Sequence, residues 1–381
     1  MERNNIPFYK QIKEEILKKI EKGEYKVGDK IPSISELSKI YNVSNIVVRQ
    51  ALGELVKEGY LEGIPGKGTF VKEKREEIKR DEKLVGLIFT EMVGNPFFAE
   101  IFTGIESVLS SYGYHMVISV SYNIVEREKR FLKEYMERGV RGIIITPTEV
   151  NRTVIDNEIF SELQRQNIPV IFVDRKIEGI DFDYISSDNV EGGYIATKYL
   201  ISLGHKRIGI ILGINANTVR DRLEGYKKAL QEYDIIFDPL LVRRSFAELQ
   251  YEEAGYNNTM DLLHLKEPPT AIFACNEAIA IGIYRACFEL GLNIPDDLSV
   301  IGYDNLPFTS SLNPPLTTIN QKKREMGEEA ARILISRING DKSGPKKIIF
   351  KTELIERNSC KQLKEEEQNE KVRVKKKENS K

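Results

Sequence analysis

Between Leu84 and Asp304 the chain repeats one pattern: a short, almost wholly apolar run, then a longer amphipathic stretch at helical spacing. The runs are LVGLIFT, HMVISV, GIIIT, PVIFV, RIGIILG, TAIFA and LSVIGYD. A strand that is apolar at every position must be covered on both faces, and helices between consecutive strands supply that cover. The pattern predicts an α/β fold of parallel sheets flanked by helices. The runs form two series, interrupted near Asp174 and Ser187-Asp188-Asn189, so two similar lobes with a cleft between them are expected in place of one large sheet.

The N-terminal part follows other rules. Residues 8 to 22 form an amphipathic helix with Ile12, Ile16, Leu17 and Ile20 inward. Ser33 and Glu36 have capping-box spacing, Ser44 is a second N-cap position, and Val43 can staple onto Val48 across that start. On the helix opened by Ser44, residues Val48, Ala51, Leu52 and Leu55 share one face. Ile46, Arg49, Gln50 and Gly53 share the other, with Asn45 at the leading edge. The first set is core. The second fits base-pair edges, where Arg forks onto guanine and Asn or Gln onto adenine. Tyr60-Leu61-Glu62 and Thr69-Phe70-Val71 read as strands joined through Gly63 to Gly68, which puts Lys67 on a tip whose glycines allow close approach to phosphate. Three helices and this hairpin make a small winged helix-turn-helix suited to a DNA major groove. A P-loop would need Ser or Thr after Gly-Lys and a helix beyond it; here Lys67 is followed by Gly68 and a strand.

These segments resemble the N-terminal domain of GntR-type transcription regulators. The resemblance runs from Pro7-Phe8-Tyr9-Lys10-Gln11-Ile12 through Gly28-Asp29-Lys30-Ile31-Pro32-Ser33 and Val48-Arg49-Gln50-Ala51-Leu52 to Gly66-Lys67-Gly68-Thr69-Phe70-Val71. It implies DNA contact by Ser33, Ser35, Ser44, Asn45, Ile46, Arg49, Gln50, Lys67, Gly68 and Thr69. The family usually has Arg directly after the Val-Ser that opens the second helix, and here Asn45 stands there, so Arg49 is the firmer base contact.

Charge supports a DNA-facing end. The net charge is −1 over 381 residues, but residues 1 to 72 hold 13 Lys or Arg against 10 Asp or Glu, and residues 361 to 381 hold 8 against 5. The stretch between them is acidic. No apolar run reaches the roughly 18 residues of a membrane span, and MERNNIPFYK has no signal-peptide core. Cys275, Cys287 and Cys360 form no C-x-x-C pair and read as reduced thiols in a cytoplasmic protein. His115, His205 and His264 lie far apart without ligand spacing, so no metal, cofactor or enzymatic site is expected. The expected organisation is a winged helix-turn-helix over 1–72, a charged linker over 73–83, a two-lobed domain over 84–360 that also dimerises, and a disordered charged tail over 361–381.

Ligands of open parallel sheets bind beyond the carboxyl ends of the strands. Those positions hold Asn95-Pro96-Phe97-Phe98, Asp174-Arg175, a loop leading to Thr218 and Arg222, Asn276-Glu277, and Asp304. Aromatic rings beside carboxylates, amides and guanidinium groups suit a neutral polyhydroxylated ligand. Each residue also has a local explanation: Asn95 and Asn276 as helix caps, Phe97 and Phe98 as core, Asp174 and Asp304 as turn residues. Their joint placement favours a ligand role for Asp304, Arg222 and Phe97.

Residues 84 to 360 are similar to the effector-binding domain of LacI/GalR-type repressors, a periplasmic-binding-protein-like fold. The resemblance rests on Asn95 to Phe98, Val173-Asp174-Arg175, Asp188-Asn189 with Gly192-Gly193, Leu203-Gly204-His205, Arg222 with Gly225-Tyr226, Ile301 to Asn305, and Pro315 to Ile319. It implies lobe crossings near 174, 321 and 348, and a cleft lined by Phe97, Phe98, Asp174, Thr218, Arg222, Asn276, Asp304 and Gln321. That family's short hinge helix is absent. Together the two resemblances imply a repressor that binds a pseudo-palindromic double-stranded DNA operator as a homodimer and is released by a monosaccharide inducer such as arabinose. A transport-type sugar-binding protein and a regulator with a non-sugar effector are the alternatives.

Overall fold

The computed structural model describes residues 7–72, 83–91, 95–149, 152–244 and 251–363. They form two compact units, one within residues 1–79 and one within 80–381. Most of the 73–83 stretch, and the tail beyond residue 363, lie outside the described residues.

In the first unit α1 (Phe8–Glu21), α2 (Ile34–Tyr41) and α3 (Asn45–Lys57) precede an antiparallel hairpin of β1 (Leu61–Ile64) and β2 (Gly68–Val71). Ile12 and Ile16 of α1, Leu37 of α2, four apolar residues of α3, and Leu61 and Val71 of the hairpin share one core. The Ser33–Glu36 capping box forms in full. Ser44 occupies the N-cap of α3 but its hydroxyl makes no capping bond. The hairpin strands are longer than the sequence indicates, because Gly63 and Ile64 pair with Thr69 and Gly68 and leave only residues 65–67 to turn.

The second unit has two lobes. The first holds β3 (Leu84–Phe89), α4 (Pro96–Ser111), β4 (His115–Val120), α5 (Val125–Glu137), β5 (Ile143–Ile145), α6 (Glu158–Arg165), β6 (Val170–Val173) and β7 (Asp183–Ser187). The second holds α7 (Asn189–Ser202), β8 (Ile208–Leu212), α8 (Asn217–Glu232), β9 (Val242–Arg244), α9 (Tyr251–Leu263), β10 (Ala271–Ala274), α10 (Glu277–Glu289), β11 (Ser299–Asp304) and β12 (Thr317–Asn320). Then α11 (Lys323–Ile338) and β13 (Lys347–Phe350) return to the first lobe, and β14 (Glu353–Ile355) closes the second.

The sheets share one plan, β13-β7-β6-β5-β3-β4 and β14-β12-β11-β10-β8-β9. The first is parallel throughout; in the second only β14 runs antiparallel. The chain crosses between lobes after β7, after β12 and between β13 and β14. The first crossing is therefore at residue 188 and not near 174. Asp174 directly follows β6, which pairs with β7 in the same sheet, and β7, DYISS, is wholly buried although its sequence is polar. The crossing expected near 321 is found there, and the third lies a few residues beyond 348.

Candidate functional site: a two-lobed cleft and a groove-reading head

In both sheets the strand order reverses between the first and third strands of the lobe, β3 and β5 in one and β8 and β10 in the other. Such switch points open a crevice at the carboxyl ends. Arg222 reaches this crevice from α8 because α7 and α8 cross in near contact. A Cβ on Gly193 would stand 2.2 Å from the Arg222 carbonyl oxygen, and one on Gly225 2.0 Å from that of Val190. The guanidinium is buried, stacks 3.7 Å from the Tyr303 ring centre, donates to Asn189 Oδ1 at 2.9 Å and to the Cys275 carbonyl, and lies 3.8 Å from Asp304 Oδ1.

Asp304 and Asp174 face this crevice from opposite lobes, 7% and 4% exposed. Both have left-handed backbone, φ 114° and 67°, a strain that recurs at functional sites. Gln321 donates to Asp304 Oδ1 at 2.7 Å, and Lys323 donates to the Asp304 carbonyl at 2.6 Å. Asp304 Oδ2 and the whole Asp174 carboxylate accept no hydrogen bond among the described residues. Burial pushes the Asp304 carboxyl up to about 6 despite the Arg222 guanidinium beside it, and burial raises Asp174 as well, against the pull of Arg175 and Arg222. Glu277 buttresses the turn after Asp304 by accepting from the Leu306 N–H at 2.6 Å and Thr318 Oγ1 at 2.8 Å; burial lifts it to about 8.

The remaining predicted residues divide. Arg175 is buried and donates to Asn123 Oδ1 at 2.7 Å, while its Nε makes no hydrogen bond among the described residues and lies 3.6 Å from Asp174 Oδ2. Gln321 Oε1 is likewise buried without a partner. Thr218 is buried in the first turn of α8. Asn276 caps α10 through Oδ1, which accepts from the Ile279 N–H at 2.9 Å, and keeps its amide donors. Phe97 and Phe98 pack edge to face, 5.1 Å between ring centres, inside the first lobe's core, so packing already accounts for most of their surface. The sequence did not mark Tyr251, whose ring wall lies 3.3 Å from a Cβ on Gly213 and whose hydroxyl feels Asp174 and Arg175 of one lobe and Arg222 of the other.

The lobes also touch directly. The N-terminus of α8 has no side-chain cap of its own; Glu149, in the loop after β5 of the other lobe, accepts from the Asn217 N–H at 2.9 and 3.0 Å and from Arg220 at 3.0 Å. Negative charge is favoured at that end of a helix. Burial pushes all three thiols, Cys275, Cys287 and Cys360, up to about 12, which keeps them protonated. Among the described residues no three metal-ligating side chains gather, and no helix is long and apolar enough to cross a membrane.

In the first unit Asn45, Ile46, Arg49 and Gln50 are exposed on α3 opposite its buried face, Ile46 at 78%. Ser33, Ser35 and Ser44 are exposed at the starts of α2 and α3. Lys67 is exposed on the turn, with Gly68 and the half-buried Thr69 beside it in β2. Gly68 has φ 121°, and a Cβ there would meet Lys30 Cε at 2.5 Å, so a second lysine, unmarked by the sequence, lies over the wing.

Two family models match these two units: bacterial regulatory proteins of the gntR family over residues 8–71, and a periplasmic binding protein-like domain over 197–360. The arabinose metabolism transcriptional repressor of Geobacillus stearothermophilus is 32% identical over 95% of this chain and all of its own length. The chain belongs to this family of transcriptional repressors. The arabinose metabolism transcriptional repressor of Halalkalibacterium halodurans is 31% identical over 94% of this chain and 98% of that protein. The body alone is similar to a LacI family regulator from Enterococcus faecium solved with bound ribose, 31% identical with a TM-score of 0.64, covering 74% of this chain and all of that one.

Proposed function

We propose that this repressor senses a neutral monosaccharide in the cleft between its lobes and lets go of its operator when the sugar binds, with arabinose as the first effector to test. The observation that carries the reading is the pair of buried carboxylates, Asp174 and Asp304, on opposite lobes of the crevice, with Asp304 Oδ2 and both Asp174 oxygens free of hydrogen bonds among the described residues although Arg175 lies 3.6 Å from Asp174. A buried carboxylate without hydrogen bonds is costly. Hydroxyl donors of a sugar relieve that cost, while Arg175, Arg222, Gln321 and Asn276 supply the complementary groups and Phe97 and Thr218 apolar surface. Names of relatives support the chemistry: arabinose metabolism for two of them, and bound ribose in the Enterococcus structure.

DNA is read by Asn45, Ile46, Arg49 and Gln50 of α3, with Ser33, Ser35, Ser44, Lys67, Gly68 and Thr69 on the phosphates. One winged module buries too little surface for tight specific binding, so two chains pair through their bodies on a pseudo-palindromic site. The protein works in the cytoplasm, without cofactor or catalysis. A thermal-shift screen of the full chain against L-arabinose, D-ribose, D-xylose, D-galactose and D-glucose tests the sensor reading. A bound sugar raises the melting temperature by mass action; no shift with any neutral sugar, alongside a shift with another ligand class, contradicts it.

A further inference from the structure

We propose that Arg244, the last residue of β9, is an effector contact that donates to a hydroxyl or ring oxygen of the sugar. The proposal rests on the sensor reading above and adds a residue to that site. In the β8–β9 ladder Arg244 pairs with Leu212, which puts its Cα level with the carboxyl end of β8, one residue before Gly213 at the switch point. Strand alternation puts it on the face of Val242, which packs against the second lobe's core, a cluster that includes Val219 and Tyr226 of α8. Arg243, on the opposite face, spends its guanidinium on the Leu240 and Val242 carbonyls.

Arg244 has no such employment. Its Nη1 is buried without a partner, and the guanidinium makes no hydrogen bond or ion pair among the described residues. A buried charged donor left unmade is costly, so such a group in a crevice points to an absent acceptor. The crevice is the right one: Arg222 and Arg244 both bear electrostatically on the Cys275 thiol at the carboxyl end of β10. Tyr251 and Asn276 wall the same corner, 3.3 and 3.6 Å from a Cβ on Gly213.

The acceptor belongs to a neutral molecule. Asp174 and Asp304 face the crevice, and Asp174 and Glu91 both bear electrostatically on Tyr251 at its wall, so an anionic ligand would meet carboxylates there. A sugar presents hydroxyls that accept from Arg244 and hydroxyls that donate to Asp304, whereas a small anion without hydroxyls only accepts and an apolar ligand does neither.

The test uses full-length Arg244→Met and Arg244→Lys in calorimetric titrations with L-arabinose, D-ribose, D-xylose and D-galactose, and with D-ribose 5-phosphate and D-galacturonate. For the sugar that wild type binds, the Met variant is expected to lose about ten- to a hundredfold in affinity, the worth of a hydrogen bond to a charged group. Lys restores little, because it keeps the charge but not the fork. Melting temperature and operator affinity without sugar stay at wild-type values. Unchanged sugar affinity in the Met variant overturns the Arg244 assignment alone, as does a Met variant that melts lower before any sugar is added. Tighter wild-type binding of the phosphate or the acid, lost in the Met variant, overturns the neutral ligand. If wild type binds nothing in the panel, the sensor reading falls and the proposal falls with it.

Discussion

Asp304 has an unfavourable backbone angle, little solvent, and a carboxyl held up to about 6 by burial. The ordinary value for Asp is 3.8, so its folded value is raised and the protonated form is favoured. Its stabilising contribution is therefore complete below the ordinary value and is lost as pH rises through about 6. A sugar hydroxyl donating to the carboxylate favours the ionised form. Effector affinity should accordingly fall as pH drops below 6, by at most about tenfold per unit for one linked proton. Asp174, raised in the same direction, adds to the slope. Calorimetry at pH 5, 6 and 7 checks this, and Asp304→Asn should flatten the profile while leaving operator binding intact; a wild-type affinity independent of pH contradicts it. Arg49 makes the matching residue-scale prediction in the head. Arg49→Ala should cost about 1–3 kcal/mol on the operator and relax preference at one base pair. Equal loss on operator and random duplex in competition binding would reduce Arg49 to a phosphate contact.

Among elements, the crossing of α7 and α8 matters most, because it aims Arg222. Gly193→Ala puts a methyl group 2.2 Å from the Arg222 carbonyl; backbone cannot yield as a side chain tip does, so the helices must separate. The expected cost is about 1–3 kcal/mol of stability, read as a lowered melting temperature, with a larger proportional loss of sugar affinity than of operator affinity. The same device joins α4 to α11 through Gly104 and Gly327 and α9 to α10 through Gly255 and Gly282. The apolar runs made the parallel strands legible, because burial on both faces leaves no room for polar residues. They hid β7, where Ser186 and Asp183 are buried but satisfied by the Asp174 carbonyl and by Arg337; the interruption they left at Ser187-Asp188-Asn189 does mark the first crossing, which the resemblance had put near 174. Arg222 and Asp304 were visible at strand ends; Arg244 was not, because β9 is a three-residue edge strand without an apolar run, nor was Tyr251, which opens α9 and does not directly follow an apolar strand. For Phe98 the residues allowed a core role while the resemblance placed it in the cleft; its contacts with Phe89 and Phe97 account for its burial.

At the scale of the whole molecule, a binding event in one unit must change the grip of the other. Linkage requires that sugar weaken DNA binding by the same factor as DNA weakens sugar binding, commonly about 1–3 kcal/mol. The Glu149 carboxylate that caps α8 from the other lobe is a discrete contact between the lobes, of the kind whose making or breaking a ligand can bias. The most direct measurement titrates the full chain, by fluorescence anisotropy at physiological salt, against a duplex it has selected from a random library, with and without the sugar found in the thermal screen. The account predicts a marked preference for that duplex over bulk competitor and a loss of about 5- to 150-fold in its affinity when sugar is present. A chain that prefers no duplex, or whose grip on a preferred one ignores every sugar it binds, contradicts the account.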